Sequence, residues 1–242
     1  MKKVLITALA AAVFFTAGCK SATLKTDSEL PIFGTDAEKT SAGGKKICIP
    51  YADVTGYYGY VSSGSLPDEV ANGKNIRYLY LWLPFTVPEL GVRMASPAVG
   101  IPAEKDFVEN TWETDAQNSR LYFDPWIRLE RAVDIIDLED IPSRINSTKW
   151  LTYGTNDDNP EMPANPAGKK YNSLLRISND PRNPAKALIR GLYRIGFTCY
   201  KTGDVQGSFI VQVGAPVKLA GAVMVKEKTS LLPAIQAAES AE

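Results

Sequence analysis

The segment 190–200 constrains the fold of this chain more than any other. Tyr193, Ile195, Phe197 and Cys199 fall on one face, and Leu192, Arg194, Gly196, Thr198 and Tyr200 on the other. A helix would scatter these residues around its axis, whereas a pleated strand alternates them. Gly203-Asp204 then turns the chain toward Gly207-Ser208-Phe209-Ile210-Val211, which predicts an antiparallel pair with the preceding strand. The same texture recurs from Ile47 onward, where short aromatic and β-branched runs are separated by clusters of Gly, Pro, Asn and Asp. Candidate strands are 46–50, 55–62, 75–84, 119–131, 149–153, 171–178, 187–202 and 206–214. The run 78–82 is apolar on both faces, so its strand is expected to be covered on both sides. A short helix over 132–145 is weakened by Pro142, and Ser230 is placed to cap a helix reaching about Glu239. The fold class is therefore mainly β: a β-sandwich with a few peripheral helices, one of them short and C-terminal.

The N-terminus carries a different message. Met1-Lys2-Lys3 precedes an apolar and small-residue run over 4–15, then Thr16-Ala17-Gly18-Cys19. A positive start, a short apolar stretch and small residues form a secretory signal. The run is about a dozen residues long, short of the ~20 that cross a bilayer. Cys19 directly after Ala17-Gly18 marks a lipoprotein signal, in which a thiol at the cleavage point takes the lipid. Thr16 departs from the usual Leu, and the alternative is an ordinary signal with a chance Cys. One acyl chain holds a protein only marginally, and several hold it stably. Full processing with palmitate-type chains therefore predicts a permanent membrane anchor at Cys19. Lys20 in place of an inner-membrane retention Asp points to the outer membrane. Residues 1–18 are thus a signal peptide. Residues 19–45, rich in Lys, Thr, Ser, Asp, Ala and Gly, read as a lipidated flexible tether, and 46–242 as one domain.

Composition excludes several functions. Removing Lys2 and Lys3 leaves 25 Lys and Arg against 27 Asp and Glu, a net charge of −2, which argues against nucleic acid. There is no histidine. That excludes Ser-His-Asp and Cys-His catalysis and His-bound zinc, and leaves carboxylates, Lys or Tyr for any enzymatic role. The carboxylates in 134–140 have nothing around them that frames a hydrolase site. Cys48 and Cys199 admit two readings in an oxidising compartment. One is a disulfide closing a loop of about 150 residues; the other is two separate buried thiols. The aromatic stripe Tyr57, Tyr58, Tyr60, Tyr78, Tyr80 and Trp82 is expected to be core rather than a ligand platform. Arg128, Arg131, Arg176, Arg190 and Arg194 are expected to pair with acids at the sheet surface.

Several of these strand segments together resemble the family of the major surface lipoprotein of Leptospira. The resemblance rests on Tyr57-Tyr58-Gly59-Tyr60-Val61, Tyr78-Leu79-Tyr80-Leu81-Trp82-Leu83-Pro84 and Gly91-Val92-Arg93-Met94-Ala95-Ser96-Pro97. It continues through Phe123-Asp124-Pro125-Trp126-Ile127-Arg128-Leu129-Glu130-Arg131, Lys170-Tyr171-Asn172-Ser173-Leu174, Arg190-Gly191-Leu192-Tyr193-Arg194-Ile195 and Gly207-Ser208-Phe209. Order and spacing hold from about Pro50 to Gly214. The resemblance implies a jelly-roll sandwich, surface exposure, calcium binding and, in pathogenic members, adhesion to extracellular-matrix proteins.

Read alone, Asn156-Asp157-Asp158-Asn159-Pro160 is a polar turn, although adjacent carboxylates repel unless a cation sits between them. It lacks the spacing of an EF-hand loop. The family site, by resemblance, takes an Asp and the Thr beside it, two adjacent Asp from an acidic loop, and the main-chain oxygen of a Tyr. Asp124, Asp157, Asp158 and Tyr171 match these positions. Pro125 stands where the Thr would be and keeps only a carbonyl, and the acidic loop is shorter, so Ca2+ is expected to bind more weakly than in the family's best-known member. The expected function is a non-enzymatic, calcium-binding, lipid-anchored surface protein that engages an extracellular protein or polysaccharide. A structural envelope lipoprotein with calcium serving only stability is the alternative. A homodimer is compatible with a sandwich rich in strand edges.

Overall fold

The computed structural model describes residues 30–116, 121–201 and 203–240. The signal peptide, Cys19 and the first part of the expected tether lie outside the described residues. In chain order the strands are β1 (Ser41–Ala42), β2 (Lys45–Lys46), β3 (Asp53–Val61), β4 (Glu69–Ala71), β5 (Lys74–Leu83), β6 (Glu89–Ala95) and β7 (Phe107–Val108). They continue as β8 (Pro125–Ala132), β9 (Trp150–Asn156), β10 (Ser173–Ser178), β11 (Gly191–Cys199), β12 (Gly207–Ala215) and β13 (Val223–Val225). The helices are α1 (Asn110–Asp115), α2 (Asp140–Arg144) and α3 (Lys228–Glu239).

β1 and β2 pair with each other in a small two-stranded sheet, and two larger sheets organise the remaining strands. One runs β10-β6-β12-β3-β7; the other runs β13-β5-β11-β8-β9, with β4 also paired to β5. The mainly β, sandwich-like fold is as the alternation predicts. Residues 78–82 show why the double-apolar pattern arises. Leu79 and Leu81 join the core between the sheets, with Tyr193, Ile195, Phe197, Phe209 and Met94. Tyr78, Tyr80 and Trp82 face outward into a second cluster covered by Ile141 and Ile145 of the α2 region and Leu231 and Ile235 of α3. A third cluster lies over the other sheet, where Tyr58, Leu174 and Ile210 pack against Phe33, Tyr51 and Met162.

Several expectations need correction. The anticipated pairing of β11 with the strand after Gly203-Asp204 does not form. Both edges of β11 are taken, by β5 and β8, so β12 crosses to the other sheet and pairs with β3 and β6. Nor has β11 a single core face, since Leu192 packs in the outer cluster. The strand expected over 46–50 is absent beyond Lys46, and that over 119–131 begins at Pro125. β6 was not anticipated. Gly91 and Arg93 interrupt its apolar pattern for packing reasons: a Cβ on Gly91 would sit 2.4 Å from the Tyr51 ring, and Arg93 is buried with its guanidinium 4.4 Å from the Phe33 ring centroid. The helix expected over 132–145 shrinks to α2, and α3 starts at Lys228 after Glu227 rather than from a Ser230 cap.

The tether expectation also fails within the described residues before 46. Thr35 N–H donates to Ile49 O at 2.9 Å and Tyr51 N–H to Phe33 O at 2.9 Å, fastening this segment beside the 49–51 stretch. Phe33 meets Tyr51 edge-on at 4.9 Å. Phe33, buried, and Leu30, partly buried against the same cluster, supply the burial that a tether lacks, while Pro31 and Ile32 between them stay exposed. Cys48 and Cys199 lie apart as free thiols; Cys199 is buried, as the second reading has it, whereas Cys48 is only partly buried. Cys199 is buried in the core between the sheets, at the end of β11, whereas Cys48 sits on the stretch fastened to the outer face of the other sheet.

Candidate metal centre

The family-matched residues converge at one end of the sandwich. β8 and β9 pair antiparallel, and their last pair, Ile127 with Asn156, leaves Asp124 just before one strand and Asp157-Asp158 just after the other. Asp124 is held from behind, its carbonyl accepting from Tyr200 N–H at 3.1 Å. β10 belongs to the opposite sheet, yet its first residues reach this end. Asn156 Oδ1 accepts from Leu174 N–H at 2.9 Å. Asn159 N–H donates to Asn172 O at 3.2 Å, and Asn159 Nδ2 to Leu174 O at 3.3 Å. The 156–159 stretch is therefore not a freely solvated turn but a joint between the two sheets.

Ser173, fully buried, lies at the centre of that joint. Its Oγ is close to the Pro125 carbonyl, 2.5 Å from Asp157 O and 3.3 Å from Asn156 O. One hydroxyl proton serves one of these three acceptors at a time, so the carbonyls gathered around Ser173 have more lone pairs than its hydroxyl can satisfy.

The carboxylates divide into one satisfied and two unsatisfied groups. Asp158 Oδ1 accepts from Tyr171 N–H and Oδ2 from Lys170 Nζ, both at 2.7 Å. Asp124 Oδ1 and Asp157 Oδ1 are buried and, among the described residues, have no hydrogen-bond partner. Such orphaned acceptors are uncommon in folded proteins and call for an explanation such as an ion. Burial, then the charges of Asp158 and Asp124, push the Asp157 carboxyl up to about 6. Burial and Asp158 likewise raise Asp124, while Lys170 and Lys201 pull it back. Mutual repulsion of this kind is the signature of carboxylates gathered without enough positive charge.

The donors fit calcium in kind, as hard oxygen ligands from carboxylates and main-chain carbonyls. In spacing they stand open: among the described residues no three His, Cys, Asp or Glu close on a single point. Tyr171 is tied by its N–H to Asp158. The hydrogen bonds flanking its bridge with Ala164 run between Asn172 and Pro163 and between Asn165 and Lys170, so neither uses the Tyr171 carbonyl. Pro125 offers only its carbonyl, which Ser173 Oγ also approaches. Sequence reasoning missed Lys170, Ser173, Asn156 and Asn159 as the groups that hold the acids in place; Lys170 and Ser173 sit in a matched motif, but nothing in their spacing signals the contact.

Other candidates resolve into packing. All the residues of the aromatic stripe are buried except Tyr60, which is partly so. Arg128 and Arg194 share Glu130, at 3.2 and 2.7 Å, while Arg176 pairs with Glu161 and Arg190 with Asp137. Arg131 instead donates to the Tyr153 hydroxyl at 3.0 Å. Asp134 accepts from Thr148 Oγ1, and Asp140 pairs with Arg144 at 3.3 Å. A surface groove of about 560 Å³ between α2 and α3, lined by Tyr80, Ile145, Lys228 and Leu232 among others, takes no residue from the carboxylate cluster. An ion held by oxygens needs only a gap of ligand-bond length, so groove size is no guide to it.

The Lipl32 family model, described as a surface lipoprotein of the Spirochaetales order, matches residues 45–224, a span that contains Asp124, Pro125, Asp157, Asp158 and Tyr171. No curated protein matches the chain.

Proposed function

This chain belongs to the Lipl32 family of spirochaete surface lipoproteins, and from that premise we propose that it is a calcium-binding, non-enzymatic adhesion module anchored to the outer membrane through Cys19. The observation that carries the calcium reading is the pair of buried, partnerless oxygens, Asp124 Oδ1 and Asp157 Oδ1, beside Asp158 at the joint between the sheets. Asp124, Asp157 and Asp158 would hold the ion through carboxylate oxygens, and Pro125 and Tyr171 through main-chain carbonyls. The ion supplies the positive charge that these acids lack.

The chain's own residues do the rest. Asn156 and Asn159 fix the acidic stretch to β10, and Ser173 holds the carbonyls of that stretch against the start of β8. Ordering the loop in advance lowers the entropic cost of engaging an extracellular protein or polysaccharide. Calorimetric titration of calcium into the protein, alongside an Asp157→Ala/Asp158→Ala variant, tests the ion site. Saturable heat in the parent and none in the variant is the expected pair of results; equal heats would move the site elsewhere. Binding to immobilised matrix proteins and glycans, with calcium and with EDTA, then tests adhesion, which a response in neither condition would remove.

A second reading is an envelope protein whose calcium serves only stability. The position of the acids favours it, because they sit where the two sheets are tied together rather than on an exposed loop tip.

A further inference from the structure

The acidic cluster already has a cation in it. Lys170 Nζ lies 2.7 Å from Asp158 Oδ2, with both side chains about one-third exposed, at 33% and 30%. Its charge also acts on Asp124 and Asp157, so one ammonium is the nearest compensation for three carboxylates. The main chain around Lys170 is fixed independently of that ion pair. Lys170 O accepts from Asn165 N–H at 2.7 Å, and Asn172 N–H, two residues on, donates to Pro163 O at 3.1 Å. The side chain is therefore free to move while the backbone stays. From that same position Lys170 Nζ also lies 5.7 Å from the centroid of the exposed Tyr200 ring, against which Lys74 Nζ sits at 5.4 Å.

We propose that Lys170 is a tethered counter-ion that occupies the Asp124–Asp157–Asp158 cluster in the metal-free protein and must leave Asp158 before a divalent cation can enter. This rests on the calcium reading of the site. An ammonium donating to Asp158 Oδ2 competes for an oxygen that the ion requires, and its charge opposes a divalent ion at close range. Lys170 thereby lowers calcium affinity while protecting the empty cluster from its own repulsion. Magnesium, which parts with its water reluctantly, gains less from the cluster and is the poorer competitor for the ammonium.

The test is calorimetric calcium titration of the full chain and of Lys170→Met and Lys170→Arg variants at low ionic strength. Lys170→Met should bind calcium roughly five- to ten-fold more tightly, Lys170→Arg should stay near the parent, and Lys170→Met should melt at a lower temperature in EDTA. In the unaltered protein, the rate at which an acylating reagent modifies Lys170, followed by mass spectrometry, should rise on adding calcium. That second readout needs no variant to fold. Unchanged or weaker binding by Lys170→Met overturns the proposal, as does a Lys170 modification rate indifferent to bound calcium. If parent and Lys170→Met both fail to bind calcium, the calcium reading itself falls and the proposal with it. Binding by Lys170→Met alone would support the proposal in its strongest form.

Discussion

At the scale of single residues, the chemistry of this protein concentrates where hydrogen-bond donors run short. Ser173 offers one proton to three carbonyls, and Asp124 and Asp157 each bury an oxygen that no group among the described residues satisfies. Replacing Ser173 with Ala removes the one donor there and should cost about 1–3 kcal/mol of stability, measurable by denaturant unfolding. Asp157 has a pH signature of definite sign. Its carboxyl is raised from an ordinary 3.8 to about 6, so the folded state holds that proton more tightly than the unfolded chain does. Stability in EDTA is therefore favoured below pH ~4 and lost as pH rises through the window to ~6. An Asp157→Asn variant should match the parent near pH 4 and exceed it in stability above pH 6 when calcium is absent. An excess at every pH, or none, would mean that repulsion at Asp157 is not what strains the empty site.

At the scale of elements, the stretch ahead of β1 behaves as part of the fold. Phe33, with Tyr51, fills a gap over β6 and β12 that glycine creates, since a Cβ on Gly91 or Gly214 would come within 2.9 or 3.1 Å of the Phe33 ring. Truncating Phe33 to Ala should cost about 3 kcal/mol, whereas a loose tether would lose nothing. The thiols offer a separate check. A thiol reagent should label half-exposed Cys48 in the native state and spare buried Cys199, and added reductant should leave the melting temperature unchanged. Strands whose partners supply regular alternation, such as β3, β5, β11 and β12, were legible in the sequence. β6 was not, because Gly91 and Arg93 answer to an aromatic pair from a distant segment. The β11–β12 connection was misread because Gly203-Asp204 has the local chemistry of a turn, while the choice between hairpin and crossover depends on which strand edges are already occupied. The acidic loop was legible only as polarity. Its meeting with Asp124 was anticipated from the family resemblance, since no local spacing links residues so far apart in sequence.

At the scale of the whole molecule, two sheets enclose one core, α2 and α3 cover one outer face, and α1 and the N-terminal stretch cover part of the other. The candidate ion site lies where the sheets are tied at one end, so occupancy acts on the sandwich as a unit rather than on a single loop. The measurement that tests this most directly is thermal unfolding of the protein in EDTA and across a calcium series, with magnesium as control. Ligand at a hundred times its dissociation constant stabilises a folded state by about 2.7 kcal/mol, which for a domain of this size raises the melting temperature by roughly 5–10 °C. A saturable rise of that order, not reproduced by magnesium and lost in the Asp157→Ala/Asp158→Ala variant, is the expected result. A melting temperature indifferent to calcium would contradict the account.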